Sequence, residues 1–211
     1  MDQKELWEHL AKENSRYYIN TDKGRGITEE QFRESGEMDC IRHLDTDVLI
    51  LGKSPLKEKV IVEIGCGIGR MTEFMAQRYK KVVGTDISAE MIRQGKRRLT
   101  GIANTELFET DGESIPLPDS SVDIVFSYLV FQHIRSKVMI ENSFKEVYRV
   151  LKKDGLFKVR IRSEKDASMD SWWAGASYTK KEAWKLCAST GFFVIKTEVV
   201  KTYGLWLWLK K

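Results

Sequence analysis

The segment Glu63-Ile64-Gly65-Cys66-Gly67-Ile68-Gly69-Arg70 carries the strongest chemical signal in the chain. It follows an apolar run, KVIVEIG, and precedes a helix-like stretch, where a parallel α/β sheet presents its ligand-binding edge. Glycines there let the backbone bend tightly and approach a ligand, because no Cβ intervenes. A nicotinamide or flavin site would show GxGxxG ahead of a helix N-terminus that holds pyrophosphate. Here the third glycine comes one residue early, and Arg70 stands where the last one would be. Glu63, at the predicted strand end, would repel a pyrophosphate and suit a ligand bearing an ammonium or sulfonium cation. More carboxylates follow at later strand ends. Asp86 lies 17 residues beyond Gly69, suited to ribose hydroxyls, and Asp111, followed by Gly112, is suited to an adenine amino group.

Positioning these groups requires strands and helices in alternation. Residues 2–14 show Leu6, Leu10 and Ala11 at helical spacing. Thr28 with Gln31 spells a capping box for a second helical region that runs toward Leu51, broken around Gly36. From Lys59 the pattern is strand, then helix, repeatedly. KVIVEIG, VVGTD, residues 106–109, Val122–Ser127 and LFKVRI read as strands; residues 70–79, 88–99, 136–153 and 179–190 read as helices. Residues 192–200 and 205–209 form a final strand pair around Gly204. This alternation predicts a mostly parallel sheet with helices on both faces. The chain divides into an N-terminal helical cap, residues 1–58, and a ligand-binding core, residues 59–211.

Composition excludes several classes. Hydrophobic residues are 42% and charged residues 31% of 211, an ordinary globular balance rather than that of a disordered chain. The net charge of +4 is too small an excess for a nucleic-acid stripe, so no nucleic-acid partner is expected. Cys40, Cys66 and Cys187 are far apart, and His9, His43 and His133 are dispersed, which argues against a disulfide framework or a metal site. The opening MDQKELWEHL is charged and amphipathic, unlike a signal peptide, and residues 205–209 are too few to span a bilayer. A cytoplasmic setting with no membrane partner is the expectation.

The motifs VIVEIGCGIGR, VVGTDIS, ETDGESIPLPDSSVDIVFS and EVYRVLKKDGLFKVRI together resemble the class I S-adenosylmethionine-dependent methyltransferases, and within them the type 11 small-molecule group. They cover roughly residues 59 to 162, and the closing strand pair extends the likeness toward the C-terminus. The resemblance implies a Rossmann-like three-layer α/β sandwich. Its seven-stranded sheet would have the order 3-2-1-4-5-7-6, with strand 7 antiparallel. It implies S-adenosyl-L-methionine as cofactor and S-adenosyl-L-homocysteine as product. Carried onto this sequence, it assigns Glu63, Gly65, Cys66, Gly67 and Gly69 to the methionine end. Asp86 takes the ribose, Ile87 packs on the adenine, and Asp111 and Gly112 fix the adenine edge. Ser127 and Tyr128 face the methionine portion, and Arg70 is a candidate for the cofactor carboxylate.

Methyl transfer from a sulfonium is an in-line displacement, and a hydroxyl acceptor must lose its proton at some stage. His133, after the fourth strand, is the candidate base, with Gln132 beside it. Trp172, Trp173, Tyr178 and Asp170 are candidate acceptor contacts, as aromatic faces suit sugar rings, apolar rings or a cation. Lys158, Arg160 and Arg162 alternate on one face of the fifth strand, and Arg162, nearest the active edge, suggests an anionic acceptor. Tyr148 and Lys152 match the YxxxK of short-chain dehydrogenases, yet Tyr148 belongs to an apolar helix stripe and the loop spacing is wrong. The fourth strand ends in Phe-Ser-Tyr-Leu, without the Asn/Asp-Pro-Pro-Tyr of enzymes that methylate amino groups of DNA or of glutamine. Paired glutamates and a Pro-Cys pair are also missing, which disfavours protein arginine and cytosine carbon as acceptors. A methyltransferase acting on a hydroxyl or amine of a small molecule or glycan is expected. The alternative is a catalytically silent cofactor-binding sensor or partner subunit.

Overall fold

The computed structural model describes residues 2–52, 54–163, 173–200 and 204–211. The chain separates into two compact units that meet in sequence between Asp111 and Gly112.

In the first unit, helices α1 (Gln3–Ile19), α2 (Glu29–Cys40) and α3 (Val48–Leu51) precede strand β1 (Val60–Ile64). There follow α4 (Thr72–Ala76), β2 (Lys81–Asp86), α5 (Ala89–Arg98) and β3 (Thr105–Glu109). The strands run in the order β3-β2-β1, all parallel, with Val62 opposite Val83 and Gly84 opposite Leu107. Ile61, Val62, Val82 and Val83 are fully buried, as expected of parallel strands covered on both faces. The capping box at Thr28 and Gln31 forms, and Ser88 caps α5 by accepting from the Met91 amide.

Gly36 does not break α2. The helix runs through it to Cys40 and continues as one π-type turn, Ile41–Asp45. The glycine is there for packing: a Cβ would collide with the carbonyl oxygen of Arg70. The expected helix over residues 70–79 contracts to α4, because the glycine-rich turn extends through Met71 before helical geometry begins.

In the second unit, β4 (Val122–Ser127), α6 (Lys137–Val150), β5 (Leu151–Ser163), β6 (Ser177–Tyr178), α7 (Lys180–Ser189), β7 (Phe193–Val200) and β8 (Gly204–Lys210) follow in turn. The strand order is β4-β5-β8-β7, with β6 also paired to β5. β4 and β5 are parallel, whereas β8 runs antiparallel to both β5 and β7. The described residues thus carry eight strands, mostly parallel in the α/β manner expected, rather than seven. The addition is the two-residue β6, whose Ser177 and Tyr178 pair with Arg162 and Ser163. The expected long helix stops at Val150 instead of residue 153, because Leu151 enters the sheet opposite Val122 and Asp154 turns the chain at φ +66°. Phe131, Phe144, Phe157 and Phe192 form the core of this unit, with ring centroids 5.1–6.3 Å apart. Tyr148 is half-buried and edge-on to Phe192, and Lys152 is paired with Asp123 at 2.8 Å, so the YxxxK match is structural. No helix among the described residues is long and apolar enough to cross a membrane.

Candidate functional site

In the first unit the glycine turn leaves β1 and folds against the end of β2. The amides of Gly65 and Cys66 both donate to the Thr85 carbonyl, at 2.7 and 3.0 Å. Gly65, Gly67 and Gly69 all have positive φ, a region that side chains with a Cβ rarely adopt. The Gly67 amide donates to Asp86 Oδ2 at 2.9 Å, and the Ser88 amide donates to Oδ1 at 3.0 Å. Asp86 therefore ties the tip of the glycine turn to the start of α5. Burial pushes its pKa upward, and the amides of Ser88, Gly67 and Ile87 oppose that rise by stabilising the anion. Ile87, next along, is partly exposed.

Glu63 sits near the end of β1 with only 6% of its surface exposed. Its Oε2 accepts from the Thr72 hydroxyl at 2.5 Å. Desolvation pushes its pKa up to about 7, against the Thr72 hydrogen bond and the Arg70 charge, which lower it; Asp86 adds to the rise. A positive charge nearby favours the ionised form of such a carboxyl. Cys66 turns its side chain into a cluster with Ile92, Leu99 and Leu107, and burial raises its thiol well above the ordinary range. The thiol also donates to the Gly67 carbonyl at 3.7 Å. Asp111 is exposed, beyond the end of β3.

Arg70 does not extend toward the open side of the turn. It is 6% exposed, and its Nη1 donates to Asp39 Oδ2 at 2.7 Å and to Ser35 Oγ at 3.3 Å, both on α2. Helix α1 contributes too. Glu8 Oε2 accepts from Ser88 Oγ at 2.7 Å and from the Glu90 amide at 3.0 Å. Ile19 lies where a Cβ on Gly67 would go, 2.8 Å from its Cδ1.

The second unit holds the remaining predicted residues. Gly112 has φ +86°, and its carbonyl accepts from Ser143 Oγ at 2.9 Å. Ser127 ends β4 fully buried, and Tyr128 stacks on Trp206 with ring centroids 5.6 Å apart. The chain then turns through Leu129, at φ +60°, into the 3-10 turn Phe131–His133. His133 Nδ1 lies 2.8 Å from the Trp173 carbonyl, and Nε2 lies 3.2 Å from Gln132 Nε2. A carbonyl only accepts, so the Trp173 contact favours a proton on Nδ1, and the Leu129 backbone also hydrogen-bonds the ring. Burial lowers the His133 pKa, which keeps the ring uncharged near neutrality.

The segment after residue 172 is laced to this turn. The Gly175 amide donates to the Gln132 carbonyl, and the Ala176 amide to that of Ile134, at 2.7 and 2.8 Å. Arg162 is buried and donates from Nη1 to the Gly175 carbonyl at 2.7 Å. Trp173 meets His133 edge-on at 5.9 Å. Tyr178 is 4% exposed, its hydroxyl has no hydrogen-bond partner among the described residues, and burial pushes its pKa up to about 12. Lys158 lies over the rings of Trp206 and Trp208, and Arg160 over Tyr128, which gives the cationic face of β5 aromatic partners. Trp172 and Asp170 lie outside the described residues.

Sequence reasoning missed Thr72, Asp39 and Glu8. Their links to Glu63, Arg70 and Ser88 span 9, 31 and 80 residues. No local motif marks such pairs.

Residues 62–159 match the protein family described as a methyltransferase domain. A malonyl-[acyl-carrier protein] O-methyltransferase from Marinomonas sp. is 33% identical over 109 residues, covering 50% of this chain and 39% of that protein. Phosphoethanolamine N-methyltransferase 1 of Arabidopsis thaliana is 28% identical over 180 residues, covering 78% of this chain and 35% of that protein. The chain thus spans less than half the length of these curated relatives. Among solved structures, phosphoethanolamine N-methyltransferase 1 of Haemonchus contortus, in complex with phosphoethanolamine and S-adenosylhomocysteine, aligns with a TM-score of 0.75 at 19% identity. That alignment covers 98% of this chain and 48% of the other. A SAM-dependent methyltransferase from Aquifex aeolicus aligns with a TM-score of 0.62 at 19% identity, over 87% of this chain and 98% of its own. At such identities these structures speak to the fold.

Proposed function

We propose, from the premise that residues 62–159 form a class I S-adenosylmethionine-dependent methyltransferase domain, that this chain binds S-adenosyl-L-methionine and transfers its methyl group to a hydroxyl or amine of a small molecule or sugar. The observation that carries the reading is the pair Glu63 and Asp86. They stand on neighbouring parallel strands, with the positive-φ glycine turn between them. The donor, when bound, supplies an electrophilic methyl on a sulfonium. The residues of the chain bind and orient it. Glu63 receives the amino group of the methionine end, Asp86 the ribose hydroxyls, and Ile87 the adenine face, with Asp111 and Gly112 at the adenine edge and Ser127 and Tyr128 toward the methionine portion. The backbone of Gly65 to Gly69 gives close approach. Positioning alone supplies roughly 7–11 kcal/mol of such a barrier when the reacting atoms are held about 3–3.5 Å apart.

His133 is proposed as the base, accepting the acceptor's proton at Nε2 once the Gln132 amide gives way there, while the Trp173 carbonyl favours a proton on Nδ1. Relatives named for malonyl-[acyl-carrier protein] and phosphoethanolamine support an anionic acceptor, in keeping with the buried cations of β5. Residues 1–58 serve as the cap in this reading.

Calorimetry with S-adenosylmethionine and S-adenosylhomocysteine, followed by a methyl-transfer assay over hydroxyl, amine and carboxylate acceptors, tests the proposal. Phosphoethanolamine and a malonyl thioester belong in the panel. Binding with transfer to one of them is expected. Binding without transfer to any would favour a silent sensor, and absence of binding would overturn both.

A further inference from the structure

Helix α2 directs one face at the turn that carries the glycines. Phe32, Gly36 and Cys40 recur at helical spacing and are fully or nearly fully buried, and Ser35 and Asp39 flank them. Each meets the segment from Gly69 to Glu73 or its partners. Arg33 donates to Glu73 at 2.7 Å, and Arg98 bridges the other Glu73 oxygen, at 2.6 Å, to the Gly69 carbonyl, at 3.1 Å. Gly36 lets the helix backbone lie directly on the Arg70 carbonyl. The Cys40 thiol donates to the Met71 carbonyl at 3.5 Å. The Asp39–Arg70 ion pair is largely withdrawn from water, with 14% and 7% of the two side chains exposed. The very next residue but one, Thr72, is fully buried and hydrogen-bonded to Glu63.

We propose that Arg70 is a positioning residue for donor binding. Clamped by Asp39 and Ser35 of α2, it fixes the Gly69–Thr72 backbone and, through Thr72, the Glu63 carboxylate. This inference rests on the donor-binding reading above and adds to it. Helix α2, outside the matched methyltransferase segment, completes the donor site by holding its turn, and touches no substrate itself. A surface ion pair would contribute little, but the Arg70 end of this pair is withdrawn, and Asp39→Asn would leave that guanidinium without its carboxylate. The other Asp39 oxygen also has Arg42 at 3.6 Å and His43 at 4.0 Å, so losing Arg70 leaves Asp39 partly compensated. Arg70 also sets the electrostatics of Glu63. The charged groups acting on that carboxylate are Arg70 and Asp86, of which Arg70 is the cation, and the neighbouring Cys40 and Cys66 thiols are themselves raised by burial and by Glu63.

Titration calorimetry with S-adenosylhomocysteine, paired with thermal unfolding, tests the clamp in the full chain. Asp39→Asn and Arg70→Met are expected to weaken binding about tenfold or more, and Arg70→Lys to recover most of it. Gly36→Ala, which pushes the helix off the turn without touching a charge, is expected to weaken binding similarly. A merely structural role would lower the melting temperature and leave the pH profile where it is. A positioning role predicts that Arg70→Met moves the rise of affinity with pH to higher pH, because Glu63 loses its stabilising cation. Folded Asp39→Asn and Arg70→Met proteins with wild-type affinity and an unmoved pH profile would overturn the clamp. Should Arg70→Met fail to fold, Ser35→Ala, which removes only one hydrogen bond, gives a milder loss of affinity if the clamp operates and none if it does not. A wild-type chain that binds no S-adenosylhomocysteine would instead sink the donor reading.

Discussion

The glycine turn of the first unit and the His133 turn of the second are built by different means. The first is organised by its own backbone: three positive-φ glycines, two amides on the Thr85 carbonyl, and a carboxylate that reaches back 19 residues to the turn's own amide. The second is organised from outside. His133 is hydrogen-bonded to the Trp173 carbonyl, 40 residues on, and its turn is laced to residues 175 and 176. A motif can encode the first kind of site because spacing and residue type nearly determine it. The second kind depends on whichever segment the fold brings alongside, so related chains can exchange acceptors while keeping one donor site.

That contrast predicts separable defects. The largest belongs to His133→Asn. If the ring acts as the base, turnover falls by roughly 10²–10⁴ while donor affinity stays within about twofold of wild type. Single-turnover kinetics beside calorimetry would check it, and a loss of donor affinity would break the division between the two turns.

Asp86→Ala comes next. It removes the acceptor of the Gly67 and Ser88 amides together with the proposed ribose contact. Donor affinity should fall by about 10²-fold, equivalent to ~3 kcal/mol, by calorimetry.

Glu63 provides a subtler test. Its folded pKa is raised to about 7, so the neutral form is the comfortable one in the empty protein. A carboxyl raised above its unfolded value contributes stability that is present at low pH and lost as pH climbs through the folded value. Glu63→Gln is therefore expected to stabilise the empty protein at pH 8, by an amount on the order of 2–3 kcal/mol, and to change little near pH 4. Thermal unfolding at the two pH values would show it. The same substitution should weaken donor binding, which makes Glu63 a residue retained at the expense of stability.

Arg162→Ala is the smallest expected effect on the donor side, with affinity unchanged. The Michaelis constant of the acceptor should rise severalfold, because the Gly175 carbonyl loses its partner.

The legibility of the sequence follows the same division. Strand and helix types were readable from periodicity, and Ser88 and Thr28 were readable as caps. The alternation from residue 59 onward was enough to expect the parallel sheet. Boundaries failed where tertiary contacts override local preference. Leu151 leaves a helical pattern to pair with Val122, and Ser177–Tyr178 becomes a strand only because β5 is beside it. Gly36 was misread as a break because its spacing cannot reveal the Arg70 carbonyl that needs the room. Arg70 itself was a candidate for the cofactor carboxylate, since nothing near it in sequence names Asp39 as its partner.

The most direct measurement is a calorimetric titration of the purified chain with S-adenosylhomocysteine at pH 6 and pH 8, in two buffers of different ionisation heat. A turn ringed by Glu63 and Asp86 and built for a cationic amino group predicts one ligand per chain, tighter at pH 8, with a proton released on binding at pH 6. Pyrophosphate dinucleotides should give no heat. No binding at either pH by folded protein, or binding of a dinucleotide in its place, would contradict the account.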